Sequence, residues 1–297
     1  MVEINLSGMG VALITPFTED DAVDYTALGK LVDYQLQNGT DYLVVLGTTA
    51  ETPTLTESEK AEIVKFVVSR VGGALPIVLG LGGNNTKAVV DRLKNDSFEG
   101  INAILSVTPY YNKPSQEGLY QHFAAVAKAS PLPIVLYNVP GRTGVNMSAD
   151  TTLRLAREFD NIIAIKEASG NITQMNEIIG SKPDRFQVIS GDDGITFPLI
   201  TLGAVGVISV IGNAFPKEFS RMVRLALGGD YASARTIHHS FNELFEPLFV
   251  DGNPAGVKSM LSMMGYIENR LRHPLVPTRI TTYETIRNIL EQLRIKL

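Results

Sequence analysis

Lys166 ends the run Ile162-Ile163-Ala164-Ile165, an apolar and largely β-branched segment that reads as a buried strand. An ammonium group is costly to desolvate there, so the residue needs either an ion-pair partner or a chemical purpose. Burial disfavours the charged form of an amine, and the free amine is the form that attacks a carbonyl to give a Schiff base. The alternative is a structural lysine paired with a carboxylate, Glu167 being the closest in sequence. On the strand alone the two readings weigh equally.

Other residues of chemical interest follow similar runs. In Gly47-Thr48-Thr49-Ala50-Glu51 the glycine permits a tight turn, and the threonine amides and hydroxyls could cradle a small carboxylate. The plainer reading is an ordinary turn whose threonine caps the next segment. Tyr137 could pass protons to and from an imine with a hydroxyl partner such as Thr49; otherwise it is a core tyrosine with a satisfied hydroxyl. Arg142, in Pro140-Gly141-Arg142-Thr143-Gly144, could grip a carboxylate bidentately, or be a solvated loop arginine. Asp192-Asp193 resembles an acid/base pair but directly precedes a helix pattern, which favours an N-cap. Gly80-Leu81-Gly82-Gly83 has no basic residue after it until Lys87 and reads as a plain loop. His122, His238, His239 and His273 lack ligand spacing with carboxylates, so no metal site is expected.

The elements that must position these groups form a regular rhythm. Eight strand-length runs occur: Val11 to Ile14, Tyr42 to Leu46, Pro76 to Leu81, Ile101 to Val107, Pro133 to Tyr137, Ile162 to Ile165, Phe186 to Ile189 and Val205 to Val210. Helical patterns lie between them, opened by a capping box at Thr56-Glu57-Ser58-Glu59, by Ser115 and Ser148, and by Pro216 at a first turn. From Thr15 to Ser209 the strand ends are spaced by about 28 residues, close to the roughly 30 a βα unit needs. Eight such units without a dinucleotide-binding glycine fingerprint predict a (β/α)8 TIM barrel over residues 1–227. Residues 228–297 are expected as a C-terminal helical extension packed on the barrel, with helices near Tyr231–Phe249, Gly256–Met264 and Thr282–Leu297. A barrel of this kind carries its active site at the C-terminal ends of the strands. That rule gathers Lys166, Tyr137, Thr48, Thr49, Tyr110, Tyr111 and Arg142 on one rim, and moves Lys166 towards the nucleophile reading.

Bulk properties exclude other classes. The chain has 297 residues, is 44% hydrophobic and 19% charged, and carries a net charge of −5, which argues against a broad nucleic-acid surface. It has no cysteine, which excludes disulfides and thiolate metal sites and fits a reducing compartment. No secretory leader or membrane span is visible, so a cytoplasmic enzyme is expected.

Gly47-Thr48-Thr49-Ala50-Glu51, Tyr137-Asn138-Val139-Pro140 with Arg142-Thr143-Gly144, and Ile165-Lys166-Glu167 resemble the pyruvate-dependent class I aldolases of the N-acetylneuraminate lyase superfamily. The likeness runs from about Gly8 to Pro277, and Arg142 with the Tyr110-Tyr111 pair is nearest to members that condense pyruvate with aspartate 4-semialdehyde on the way to diaminopimelate and lysine. The resemblance implies a Schiff base on Lys166 and a pyruvate carboxylate held by Thr48 and Thr49. It implies a proton relay of Tyr137, Thr49 and Tyr111, the last from a neighbouring subunit, and a second-substrate carboxylate on Arg142. Main-chain groups near Gly191 and Ile208 would shape the pocket. No cofactor is implied, and a dimer or a dimer of dimers is. An allosteric site would include Asn84 and Tyr110. Feedback-inhibited relatives commonly have histidines and an acidic residue where this chain has Glu57, Lys60 and Ala88, which predicts weak or absent inhibition by lysine. Ala50 replaces a frequent glycine, of little consequence if its φ is negative. Two other readings compete: a sialic acid or 2-keto-3-deoxy sugar acid lyase, which has less use for Arg142, and a non-catalytic barrel binding a small acid, which has no need of Lys166.

Overall fold

In the computed structural model, which describes residues 4–293, eight parallel strands close into a barrel in chain order. The strands are β1 (Gly8–Ala12), β2 (Tyr42–Val45), β3 (Ile77–Gly80), β4 (Ala103–Val107), β5 (Ile134–Asn138), β6 (Ile162–Glu167), β7 (Gln187–Ser190) and β8 (Gly206–Ser209). Each of the eight apolar runs supplies one strand, with ends displaced by no more than three residues. The largest displacement is at β1, which starts in a glycine-rich stretch. Gly10 makes room for the buried ring of Tyr42, since a Cβ there would lie 2.1 Å from it. Where β8 closes on β1, Gly206 holds φ +151° in register with Gly8, and a Cβ would meet the Gly8 carbonyl oxygen at 1.9 Å. No side chain fits either place.

Side chains alternate between two buried clusters, as strand geometry requires. One, built from Val44, Val78, Leu105, Val135, Ala164, Ile189 and Ile208, fills the barrel interior. The other, with Leu43, Leu79, Ile104, Leu136, Ile165 and Val188, packs beneath the surrounding helices. The parity assigns Lys166 to the inner face with Ala164, and Glu167 to the outer face with Ile165. The register pairs Tyr137 with Lys166 and Asn138 with Glu167 across β5 and β6, so tyrosine and lysine meet on the inner side.

The helix starts follow their sequence signals. Thr56 and Glu59 form a reciprocal capping box, Ser115 and Ser148 cap their helices, and Pro216 opens Pro216–Leu227. Beyond the barrel, the expected helix over Tyr231–Phe249 is interrupted, giving Tyr231–Ser240 and Asn242–Phe245. The break falls at Phe241, whose ring packs 5.3 Å from that of Phe215 and 5.7 Å from that of Phe219. The helices Ala255–Met263 and Ile280–Gln292 follow, and residues 294–297 of the expected last helix lie outside the described residues. Among the described residues no helix is long and apolar enough to cross a membrane.

Candidate active site

Lys166, 5% exposed, takes part in no ion pair among the described residues. Its Nζ lies 4.4 Å from the ring centroid of Tyr137, a cation–π contact that supports the amine without neutralising it. Glu167 is not its partner. On the opposite face of β6, the Glu167 carboxylate accepts from Asn138 Nδ2 at 3.1 and 3.2 Å, from Gln174 Nε2 at 3.0 Å and from the Ser169 amide at 2.9 Å. Three donor groups satisfy that buried carboxylate with no help from lysine. The salt-bridge reading of Lys166 with its sequence neighbour is thereby removed. Gly191, after β7, leaves the space the lysine stem uses, because a Cβ there would sit 3.1 Å from Lys166 Cε.

The threonine turn after β2 is a single 3-10 turn, Thr48–Ala50. Two non-glycine residues in the left-handed region flank it, Leu46 at φ 57° and Glu51 at φ 55°, whereas Ala50 is not in that region. Each such residue costs on the order of 1 kcal/mol, so the turn must be held from outside. Thr52 Oγ1 donates to the carbonyls of Leu46 and Gly47, both at 2.9 Å, and Thr15 Oγ1 donates to that of Ala50 at 2.8 Å. The amides of Thr48 and Thr49 lie at the start of the turn, before its first carbonyl-bonded amide at Ala50. They are donors suited to a carboxylate.

A cavity of about 370 Å³ opens beside these groups. Thr48, Tyr137, Arg142 and Tyr110 line it, and its far end reaches Lys60 and Arg92. Tyr137 links the two parts of the site, since it lines the cavity and carries the Lys166 ammonium on its ring. Thr48 is on the cavity wall; the Thr49 hydroxyl, 2% exposed, is instead engaged by Asn253. Ile208 belongs to the barrel-interior cluster at the end of β8. Tyr111 is not brought to this cavity: with φ +73° it stands 88% exposed. Asn84 donates to the Tyr110 carbonyl at 3.1 Å, and Glu57 pairs with Lys60 at 2.7 Å and lies 3.9 Å from Arg92. Asp192 accepts from the Gly194 amide as the expected cap, while Asp193 is buried and accepts from the amides of Val210 and Ile211 at 3.0 and 2.8 Å. Burial pushes the Asp193 carboxyl up to about 6. Among the described residues no group of three or more His, Cys, Asp or Glu side chains is placed to hold a metal ion.

Sequence reasoning passed over the far side of the threonine turn. Glu51 Oε1 lies 2.5 Å from Lys258 Nζ, an ion pair with both side chains fully buried. Glu51 Oε2 also accepts from the Arg272 amide at 3.0 Å. Asn253 Nδ2 donates to Thr49 Oγ1 at 2.9 Å. These three partners come from the C-terminal region, more than 200 residues away in the chain. The only local sign was a lysine and an asparagine within an otherwise apolar, small-residue stretch.

The family model described as "Dihydrodipicolinate synthetase family" matches residues 5–293. The chain is 78% identical over 296 residues to 4-hydroxy-tetrahydrodipicolinate synthase of Parabacteroides distasonis, covering 100% of both chains. Its fold matches the crystal structure of dihydrodipicolinate synthase from Aquifex aeolicus with a TM-score of 0.95 at 42% identity, over 98% of this chain and 99% of that one. The chloride-inhibited dihydrodipicolinate synthase from Acinetobacter baumannii, solved in complex with pyruvate, gives a TM-score of 0.95 at 40% identity, over 98% and 100%.

Proposed function

The chain belongs to the dihydrodipicolinate synthetase family, and from that premise we propose how its residues carry out the family's reaction. The reaction is the condensation of pyruvate with aspartate 4-semialdehyde to 4-hydroxy-tetrahydrodipicolinate, a lyase-class, Schiff-base aldolase step of diaminopimelate and lysine biosynthesis. The observation that carries the residue assignment is a buried lysine with no carboxylate partner, in contact with a tyrosine, at the C-terminal rim of a closed barrel.

Lys166 Nζ adds to the pyruvate carbonyl carbon and water leaves, giving an iminium. The iminium draws electrons from the adjacent methyl group, so loss of a methyl proton yields an enamine. The enamine carbon attacks the aldehyde of the second substrate, and that substrate's own amine then adds to the iminium carbon, closing the ring and freeing Lys166. Tyr137 carries protons in these steps, its position against Nζ supporting the role. Its hydroxyl partner in the turn is Thr48, which shares the cavity wall with it; Thr49, the relay member expected from the sequence, is assigned to the pyruvate carboxylate together with the turn amides. Arg142 receives the carboxylate of aspartate 4-semialdehyde at the cavity mouth. Gly191 and Ile208 shape the inner pocket.

Tyr111 projects from its own chain and completes the relay of a second copy, in a dimer or a dimer of dimers. The protein works in the cytoplasm. Residues 1–227 form the barrel unit and 228–297 its extension. Glu57 and Lys60 neutralise each other beside the Asn84–Tyr110 contact, and lysine at this place has little effect on activity.

The decisive measurement supplies both substrates and follows product through a coupled reductase, alongside borohydride reduction with pyruvate alone. We expect turnover by the native protein and a pyruvyl adduct confined to Lys166. Undiminished turnover by Lys166→Ala would sink the assignment.

A further inference from the structure

A hydroxyl group has one hydrogen to donate and two lone pairs to accept with. Asn253 Nδ2 donates to Thr49 Oγ1 at 2.9 Å, at a place where Asn253 is 6% and Thr49 2% exposed. That contact uses a lone pair of the hydroxyl and leaves its hydrogen free. No other side-chain hydrogen bond of Thr49 occurs among the described residues. A carboxylate is an acceptor-only ligand, so a hydroxyl that holds it must donate. An acceptor in place of the Asn253 amide nitrogen would capture the hydroxyl hydrogen and turn lone pairs towards the substrate. The chemistry therefore distinguishes asparagine from its isostere aspartate at this position.

We propose that Asn253, from the C-terminal extension, is a positioning residue that commits the Thr49 hydroxyl to donate to the pyruvate carboxylate. The inference rests on the assignment of Thr49 to that carboxylate. It gives the extension a part in substrate recognition. Asn253 precedes the helix Ala255–Met263, and Lys258 of that helix grips Glu51 on the same turn. The hydrogen-bond donor and the ion pair thus reach the turn from one short segment. The buried Asn253 Oδ1 has no hydrogen-bond donor among the described residues, so this amide is held in place with one atom unsatisfied. Such an atom is destabilising, which suits a side chain kept for its other end.

The test is a double-mutant cycle on Thr49→Val and Asn253→Asp, read by borohydride trapping against pyruvate concentration and by steady-state turnover. One hydrogen bond to a charged group corresponds to about tenfold or more in half-saturation. Each single variant should raise the half-saturating pyruvate concentration by about that factor. A contact equally strong in ground and transition states changes KM and leaves kcat within about threefold. The double variant should be no worse than Thr49→Val, because Asn253 acts only through that hydroxyl. Asn253→Ser, which keeps a donor and removes volume, should recover part of the loss and also serves if the aspartate variant does not fold. Additive effects in the cycle, or an Asn253→Asp defect in kcat with unchanged pyruvate saturation, would overturn the proposal. A Thr49→Val variant with normal pyruvate saturation would instead show that the assignment beneath it is wrong.

Discussion

Two lysines of this chain are withdrawn from water, and their surroundings differ in kind. Lys166, at the end of β6, has a tyrosine ring at 4.4 Å and no carboxylate. Lys258, in the helix Ala255–Met263, has the Glu51 carboxylate at 2.5 Å, the Arg270 carbonyl at 2.8 Å and the Phe17 ring at 4.2 Å. Lys258 is the more completely buried of the two, yet its ammonium has both a carboxylate and a carbonyl partner. Burial alone thus does not mark a nucleophile; what separates the two is whether the charge has been given a partner. The tyrosine beside Lys166 can exchange protons, and a cavity reaches that tyrosine. No residue of the Lys258 cluster other than the threonine turn it supports approaches the cavity.

The largest effect that could break this comparison is on turnover. Lys166→Ala should lower kcat by about a thousandfold or more, since it removes the covalent route altogether. Lys258→Met should keep the pyruvyl adduct on Lys166, with any loss traceable to a displaced threonine turn and hence to pyruvate saturation. Mass spectrometry of the reduced adduct checks both. A Lys258→Met protein that folds but forms no adduct would show that the two lysines act in the same chemistry.

Stability should reverse the ranking. Lys258→Met leaves Glu51 buried without its cation, which costs about 3–5 kcal/mol. Lys166→Met removes a buried amine that has no carboxylate partner, and should leave stability within about 1 kcal/mol of the native value or raise it. Urea unfolding of the three proteins decides the matter. Adding Glu51→Gln to Lys258→Met should restore part of the loss, because the orphaned charge is then gone. Equal losses at the two lysines would mean that the tyrosine contact holds Lys166 as firmly as a carboxylate holds Lys258.

The same contrast explains what was legible in the sequence. Lys166 stood out because a single charge interrupted a β-branched run, and period-two alternation then put it on the inner face with Tyr137. The eight strands and the caps at Thr56, Ser115 and Ser148 were legible for the same local reason. Strand β1 was misjudged by up to three residues because its glycines are chosen by the Tyr42 ring and the β8 backbone, neither of which is near in sequence. Lys258 and Asn253 left almost no local signal. A lysine in a helix is ordinary, and its burial depends on Glu51 and Arg270 arriving from elsewhere in the fold. Thr49 was legible as a candidate, but the partner of its hydroxyl was not, since Asn253 lies 204 positions away.

The smallest expected effect concerns protonation, and it isolates access from charge. Desolvation lowers Lys258 from its ordinary 10.5 to about 8, with Glu51 opposing the shift. Between these values the unfolded chain binds more protons than the folded one, so folding is favoured progressively as pH rises. The increment is complete above 10.5 and is lost as pH falls through about 8. Against a Glu51→Gln, Lys258→Met double variant, native stability should therefore gain on the order of 1 kcal/mol per pH unit across that window. A flat or falling difference would mean that Lys258 is not desolvated by its surroundings. At the alkaline end Lys258 is a free amine, yet borohydride should still trap pyruvate only on Lys166, because the Lys258 side chain is fully buried. If an adduct appears on Lys258 at that pH, protonation rather than access is what separates the two lysines.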